Sequence, residues 1–316
     1  MILRSKDLSP LAKRVIAVGI FMASACGRTP DGLFHSSRPF VTSDGTVIVA
    51  AVRTRGSGIL YAFPRTGGQG RVLVSDGDVA FPSGEPNGSR IAYTNHGDGS
   101  RGQIAIVRPG GPRQMVTELT SFDAFPQWSK DGALVYFARP AQINHPPPVV
   151  GMTRSRWEVH ELSLPAGTTR VLTREGFQDL NELTACGHKL VVSGIRYQDP
   201  HERNYLYLVD AVTGAVTVLG TQDRSSPAFF PSCDRLVYVA RVGDGPGAYI
   251  YELFVLSLAD NRVQQLTTSG SYLASPSVSP DGKSVIFLSD PERDGSYELW
   301  EVGTEGDSAH RIDIKF

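Results

Sequence analysis

Seven histidines, three cysteines and a concentration of arginines are the side chains here that could do chemistry. The histidines are His35, His96, His145, His160, His188, His201 and His310. Imidazole is the usual metal ligand and proton carrier near neutral pH. No pair has the H-E-x-x-H spacing of a zinc helix, and no C-x-x-C occurs. No G-x-S-x-G elbow is present, so the serine arrangement of the α/β-hydrolases is missing. The Asp- and Gly-bearing stretch Asp290–Gly295 reads as turn chemistry, because both residues tolerate unusual backbone angles. The pattern assigns no catalytic residue, no metal and no cofactor.

The arginines gather around two long stretches. One runs from Pro140 to Arg156 and contains Pro146-Pro147-Pro148. Successive prolines stiffen a chain toward polyproline II and lower the cost of ordering it on a partner. The other is Arg196–Arg203. Together they supply a candidate partner-binding set: Arg139, His145, Arg154, Arg156, Arg196, Tyr197, His201 and Arg203. Guanidinium forks match carboxylates, so a grip on acidic groups of a protein or glycan is the expected chemistry. Solvated loop charges are the plainer reading of the same residues.

The N-terminus carries a different signal. Residues 1–14 hold four basic groups and one acid, and residues 15–25 are eleven residues without a charge. A membrane-spanning helix needs about 20 apolar residues. A basic start, a short apolar core and a small-residue end describe a secretory signal. Ala23-Ser24-Ala25-Cys26 resembles the bacterial lipobox, with Ala23 where Leu is usual. The resemblance implies cleavage before Cys26 and lipidation of its thiol; ordinary secretion is the alternative. More than one acyl chain gives stable anchoring where a single chain is marginal. Gly27, rather than Asp, follows the cysteine, which by the same resemblance favours the outer membrane. Without residues 1–25 the formal charge of −1 becomes −4. That leaves no electrostatic footprint for nucleic acid.

What must position these residues is a repeat. Its best-formed copy reads Ser279-Pro280-Asp281-Gly282-Lys283, then the apolar run 284–288, then a polar loop, then Tyr297-Glu298-Leu299-Trp300. The turn recurs as Ser43-Asp44-Gly45, Pro86-Asn87-Gly88, Lys130-Asp131-Gly132, Ala185-Cys186-Gly187 and Ser232-Cys233-Asp234. Aligned turn residues are 43 to 55 positions apart. Each precedes a run of β-branched and aromatic residues, and two further strand-like runs follow. Four short antiparallel strands at this period are the sequence signature of a propeller blade. The expectation is an all-β fold, a six-bladed β-propeller of four-stranded antiparallel blades. Residues 1–25 are then the signal peptide, 26–37 a tether and 38–316 the propeller.

The units resemble the TolB-type propeller repeat, whose hallmark is an S-P-D-G-K turn, an apolar run and a later S-D-x-x-x-G loop. Residues 279–283 and 289–295 carry it most fully. Too few residues separate Cys26 from the first unit for the α/β domain that precedes the propeller in TolB. TolB's role in envelope complexes therefore does not transfer with the repeat. Cys186 and Cys233 occupy equivalent turns of consecutive units, so a disulfide between them is possible.

Loops between the second and third strands vary most in length, and such loops usually carry binding on a rigid scaffold. His96, His145 and His201 fall in loops of that face, where a metal or ordinary imidazoles are both conceivable. The inner strands Arg38-Pro39-Phe40, 125–128 and 276–278 are poor in acids and histidines. The expected function is a lipid-anchored, non-enzymatic protein- or glycan-binding module. Its partner would be an envelope or cell-wall-associated component, and the membrane would be touched only through the lipid. The location would be the periplasmic face of the outer membrane, or the exterior if unlipidated. The competing reading is a lyase or hydrolase acting on a sugar or lactone at a channel mouth.

Overall fold

The computed structural model describes residues 32–34, 37–52, 58–86, 88–96, 102–118, 122–141, 156–173, 176–196, 204–220, 223–245, 248–306 and 308–316. Among them there is no α-helix. The first sheet holds β1 (Phe40–Val41), β2 (Thr46–Val52), β3 (Gly58–Pro64) and, past the short β4 (Gly68–Gln69), β5 (Arg71–Val74). The second holds β6 (Val79–Gly84), β7 (Ile91–Asn95), β8 (Gln103–Val107) and β9 (Gln114–Met115). Next come two meanders. One is β10 (Ala124–Trp128), β11 (Leu134–Pro140), β12 (Trp157–Ser163) and β13 (Thr168–Val171). The other is β14 (Phe177–Cys186), β15 (Lys189–Arg196), β16 (Tyr205–Asp210) and β17 (Val216–Val218). They join into one eight-stranded sheet through a single residue pair, Trp157 with Phe177. Then follow β18 (Arg224–Phe229), β19 (Arg235–Gly245), β20 (Ala248–Ser257) and β21 (Val263–Gln265). The last sheet is β22 (Tyr272–Val278), β23 (Ser284–Asp290), β24 (Glu298–Gly303) and β25 (His310–Arg311), with β26 (Ile314–Lys315) beyond it.

The repeated turn has a local cause. Ser279 Oγ donates to Asp281 Oδ1 at 2.6 Å, and Lys283 N–H donates to the same oxygen at 3.1 Å. Ser129 and Asp131 do the same with Ala133 N–H, at 2.6 and 3.1 Å. Asp fixes the corner, and Gly132 and Gly282 supply the left-handed residue that closes it (φ 69° and 71°). The fourth turn differs from expectation. Cys186 pairs with Lys189, so the corner is the two-residue Gly187-His188 and Cys186 ends its strand.

The core lies between consecutive sheets. Ile48 and Leu60 of the first pack on Ile91 and Tyr93 of the second. Ala92 and Ile104 pack on Val135 and Phe137. Tyr136 and Val159 meet Leu190 and Val192. Val191 and Leu206 meet Leu236 and Tyr238. Val237 and Leu253 meet Val285 and Phe287. Ile286 and Leu288 of the last sheet then pack on Val47 and Val49 of the first, which closes the circuit. Each fully buried side chain of this size contributes about 1.5–3 kcal/mol.

Closure also uses the C-terminal residues. β26 pairs in parallel with β4, Ile314 facing Gly68 and Lys315 facing Gln69. The Phe316 ring lies 5.2 Å from Tyr61 and 5.6 Å from Phe63. Gly67 must be glycine, since its φ is 86° and a Cβ would sit 2.5 Å from Asp313 O. Arg65, just after β3, pairs with Glu301 and donates to Ser284 Oγ at 2.6 Å. Phe316 is half-buried, so Phe316→Ala should lower the unfolding free energy by about 2 kcal/mol, less than a fully buried phenylalanine. Urea unfolding measures this; an unchanged midpoint would show that the tail does not help close the circuit.

Candidate functional site

The innermost strand of each meander carries the feature that builds the site. Arg38-Pro39, Phe81-Pro82, Phe125-Pro126, Ser226-Pro227 and Ser275-Pro276 all place a positive-φ residue before a proline. Pairing slips here, between Ala80 and Ser83, Ala124 and Gln127, Ser225 and Ala228, and Ala274 and Ser277. Proline has no N–H to give the ladder and excludes the helical region for the residue before it. The strand therefore bulges, and a bulge re-aims the side chain it carries. The fourth meander has Glu182-Leu183 there instead, with a bulge between Leu180 and Glu182.

The re-aimed side chains meet across the assembly. Arg38 Nη2 donates to Leu183 O at 2.8 Å, from the first meander to the fourth. Ser275 Oγ donates to Glu182 Oε1 at 3.4 Å, from the last to the fourth. The rings of Phe81 and Phe125 stand 4.4 Å apart. Contacts between meanders that are not sequence neighbours put these groups on a common axis. Arg38 and Glu182 are 7% and 3% exposed, so opposite charges are buried there. Burial lowers the Arg38 pKa, and the charge of Glu182 opposes that shift.

Above this layer, on the side of the short turns, opens a cavity of about 400 Å³. All six innermost strands contribute to its wall, including Phe40, Ser83, Trp128, Thr184, Phe229 and Ser277. Its charged lining residues are Arg38, Glu85 and Lys130. Glu85 is held by Arg90, whose Nε donates at 3.0 Å and whose Nη2 also reaches Gly132 O at 2.7 Å. The Trp128 indole N–H is fixed on Ser83 O at 3.0 Å. Cys186, on the cavity wall, and Cys233 have Cα atoms 5.5 Å apart and sulfurs at bonding distance.

Arg139, Arg156 and Arg196 of the arginine set lie at or next to the opposite ends of their strands. Arg139 grips Asp123 with both arms, at 2.6 and 2.7 Å, and Asp123 is fully buried. That ion pair raises the Arg139 pKa and makes the side chain part of the β10–β11 join rather than a free partner contact. Arg156 lies 3.6 Å from Glu158, and Arg196 stands over the Tyr207 ring at 5.8 Å. His145, Arg154, Tyr197, His201 and Arg203 lie outside the described residues, as do Cys26 and the residues before it. His96 is buried beside Phe122, which lowers its pKa. Among the described residues no three His, Cys, Asp or Glu side chains cluster as a metal site. Sequence reasoning missed Arg38 and Glu182 as a pair. The available signal was alignment of the residues around the inner-strand proline: Arg38 and Glu182 both stand where other units have Phe or Ser, and Leu183 where they have Pro.

No family model matches the chain, and no curated protein matches it. Solved structures do. TolB from Acinetobacter baumannii superposes with a TM-score of 0.64 at 19% identity, over 81% of this chain and 59% of that one. The fold is a TolB-like β-propeller. This propeller thus spans about three fifths of that TolB structure's length. An oligogalacturonate lyase from Vibrio parahaemolyticus matches at 0.59 and 10% identity, over 90% of this chain and 78% of that one. The propeller domain of the Trilobed protease from Pyrococcus furiosus matches at 0.50 and 14% identity, over 74% and 70%. At such identities the likeness is one of fold.

His160 gives the propeller a measurable pH dependence. Its ring is buried on β12 against Phe137; neither nitrogen has a hydrogen-bond partner among the described residues, and Nε2 lies 3.5 Å from Glu158 Oε2. Burial, then the charge of Arg139, push its pKa down to about 4, against the opposing pull of Asp123. The unfolded value is about 6.5. The neutral ring is favoured in the fold, so its contribution is complete above pH ~6.5 and lost as pH falls toward ~4, by about 3 kcal/mol. In His160→Phe this part of the acid destabilisation should vanish, read from urea midpoints at pH 7 and pH 4.5. Parallel pH profiles for the two proteins would refute the assignment.

Proposed function

We propose that the chain is an exported, six-bladed propeller that acts as a non-enzymatic binding module, taking a protein or glycan of the envelope or cell wall in its turn-side funnel. Residues 1–25 are read as the signal peptide, 26–37 as the tether and 38–316 as the propeller. Cys26 carries the lipid, and the module faces the periplasm from the outer membrane. The count of six rests on the meanders and the apolar layers between them; the eight-stranded sheet is read as two blades touching at Trp157 and Phe177. Close approach of Cys186 and Cys233 suits an oxidising compartment.

The observation that carries the binding reading is the composition of the funnel. Aromatic, proline and hydroxyl side chains from every innermost strand form its wall, with Glu85 already held by Arg90. An acid–base mechanism needs a titratable group within hydrogen-bond reach of substrate and free to exchange its proton. A concave, largely apolar wall with a few fixed polar groups is instead what binding sites present.

The test is capture of envelope partners by the native lipoprotein and two variants. Ser277→Arg fills the funnel; Arg156→Ala with Arg196→Ala alters the opposite face. Wild type and the double variant should capture the same partner, and Ser277→Arg should lose it at least tenfold. Retention by Ser277→Arg with loss by the double variant would move the site to the opposite face. In the same preparations Cys26→Ala should abolish membrane association, and thiol reagents should label the protein fully only after reduction. A stoichiometric metal in the purified protein would overturn the non-enzymatic reading.

A further inference from the structure

We infer that the funnel floor seats a carboxylate held by Arg38, and that the ligand is an extended peptide entering by its free C-terminus. This rests on the funnel being the binding site, as proposed above. Arg38 occupies a position where Phe81, Phe125, Ser226 and Ser275 make the same bulge, so the bulge itself needs no cation. The side chain is 7% exposed and lines the cavity. Nη2 is spent on Leu183 O, and Nη1 has no hydrogen-bond partner among the described residues. Glu182 attracts the guanidinium across the axis without a hydrogen bond to Nη1, and takes Ser275 Oγ instead. A buried charge missing one partner is costly to the fold; Nη1 is closed to solvent, so a shift of the guanidinium toward the funnel is what lets a ligand acceptor meet it and remove the cost.

The rest of the cavity agrees in sign and shape. Glu85 is neutralised by Arg90, while exposed Lys130 has no ion-pair partner among the described residues. The charge left for a ligand is therefore positive at the rim, while at the floor Glu182 offsets part of the Arg38 charge. Phe40, Trp128 and Phe229, with prolines between them, form an apolar sleeve leading to Arg38. A ligand that reaches the floor must be narrow and must end in an acceptor. A peptide terminus has both properties, and guanidinium forks bind carboxylates with charge-assisted hydrogen bonds.

The experiment compares one pool of N-acetylated hexapeptides with free C-termini and the same pool amidated, on the intact mature protein. Binding is measured by calorimetry and by the indole N–H resonance of Trp128. The free-acid pool should shift that resonance and bind at least tenfold tighter than the amide, with affinity falling as salt rises. Lys130→Gln, a surface change, should weaken acid binding about threefold and leave the amide unaffected. Arg38→Gln should erase the acid preference; should it fail to fold, the native acid-to-amide comparison and Lys130→Gln still decide. Equal binding of both pools with a Trp128 shift would overturn the carboxylate seat while leaving the funnel as a binding site. No shift with either pool would overturn the inference, and the capture experiment would judge the binding module separately. Binding of an amidated peptide with an internal glutamate, or of a short oligouronate, as tightly as the free-acid pool would overturn entry by the C-terminus.

Discussion

A four-stranded meander with apolar side chains on both faces cannot be stable by itself, and the meanders among the described residues are of that kind. Tyr136 and Val135 are adjacent on β11, point to opposite faces and are both buried, one toward the following meander and the other toward the preceding one. The same holds for Val237 and Tyr238 on β19. Each sheet is therefore the second wall of two cores. The series has to return on itself, because any open end would leave a face of Val, Ile and Phe in water. The first and last sheets meet through Val47, Val49, Ile286 and Leu288, and residues 312–316 fold over the seam. The C-terminal segment adds a parallel pair on β4 rather than a strand to the first sheet, and Gly32 and Leu33 bridge Val52 and Tyr297, so closure rests on these short backbone links, on side-chain packing and on the Arg65–Glu301 pair.

Closure brings six innermost strands together, and their geometry follows from one dipeptide. A non-glycine residue at positive φ is unfavourable, and the strain persists only where surroundings over-determine it. Proline after it removes the competing ladder bond and the helical alternative together. The axial side chains are therefore fixed by backbone geometry. At the two places where this position carries a charge, Arg38 and Glu182, the signs are opposite and the two attract each other. Departures from local consistency are where a specialised role is expected, since nothing in the scaffold asks for them.

Much of the scaffold was legible because its signals are local. The Ser-x-Asp-Gly corner is made by hydrogen bonds within five residues, so a reader of sequence sees the whole device at once. The apolar runs after each corner became β2, β7, β11, β15, β19 and β23 for the same reason. The fourth corner was misplaced by one residue because Cys186-Gly187-His188 has no Asp to fix it. Arg139 shows what could not be read. It looks like a loop arginine in sequence, and only the antiparallel pairing of β10 with β11 brings it to Asp123, 16 residues away. Arg38 and Glu182 needed more still, since 144 positions separate them and only closure of the whole circuit makes them neighbours.

This ordering has a consequence for where function can sit. A charge pair on the axis costs desolvation that no two sheets could offset alone, so it can exist only after the last contact between first and last sheets has formed. The funnel above it has the same dependence, because each innermost strand supplies one segment of the wall. On the opposite side, the described loop after Asp290 belongs to the single hairpin β23–β24 and is held by its own carboxylates. A partner that reads the funnel therefore reads the finished, closed protein, whereas a partner that reads one loop does not. Among the described residues, the Arg38 guanidinium at the funnel floor combines both conditions: it is buried by closure, and it is incompletely satisfied by what closure provides.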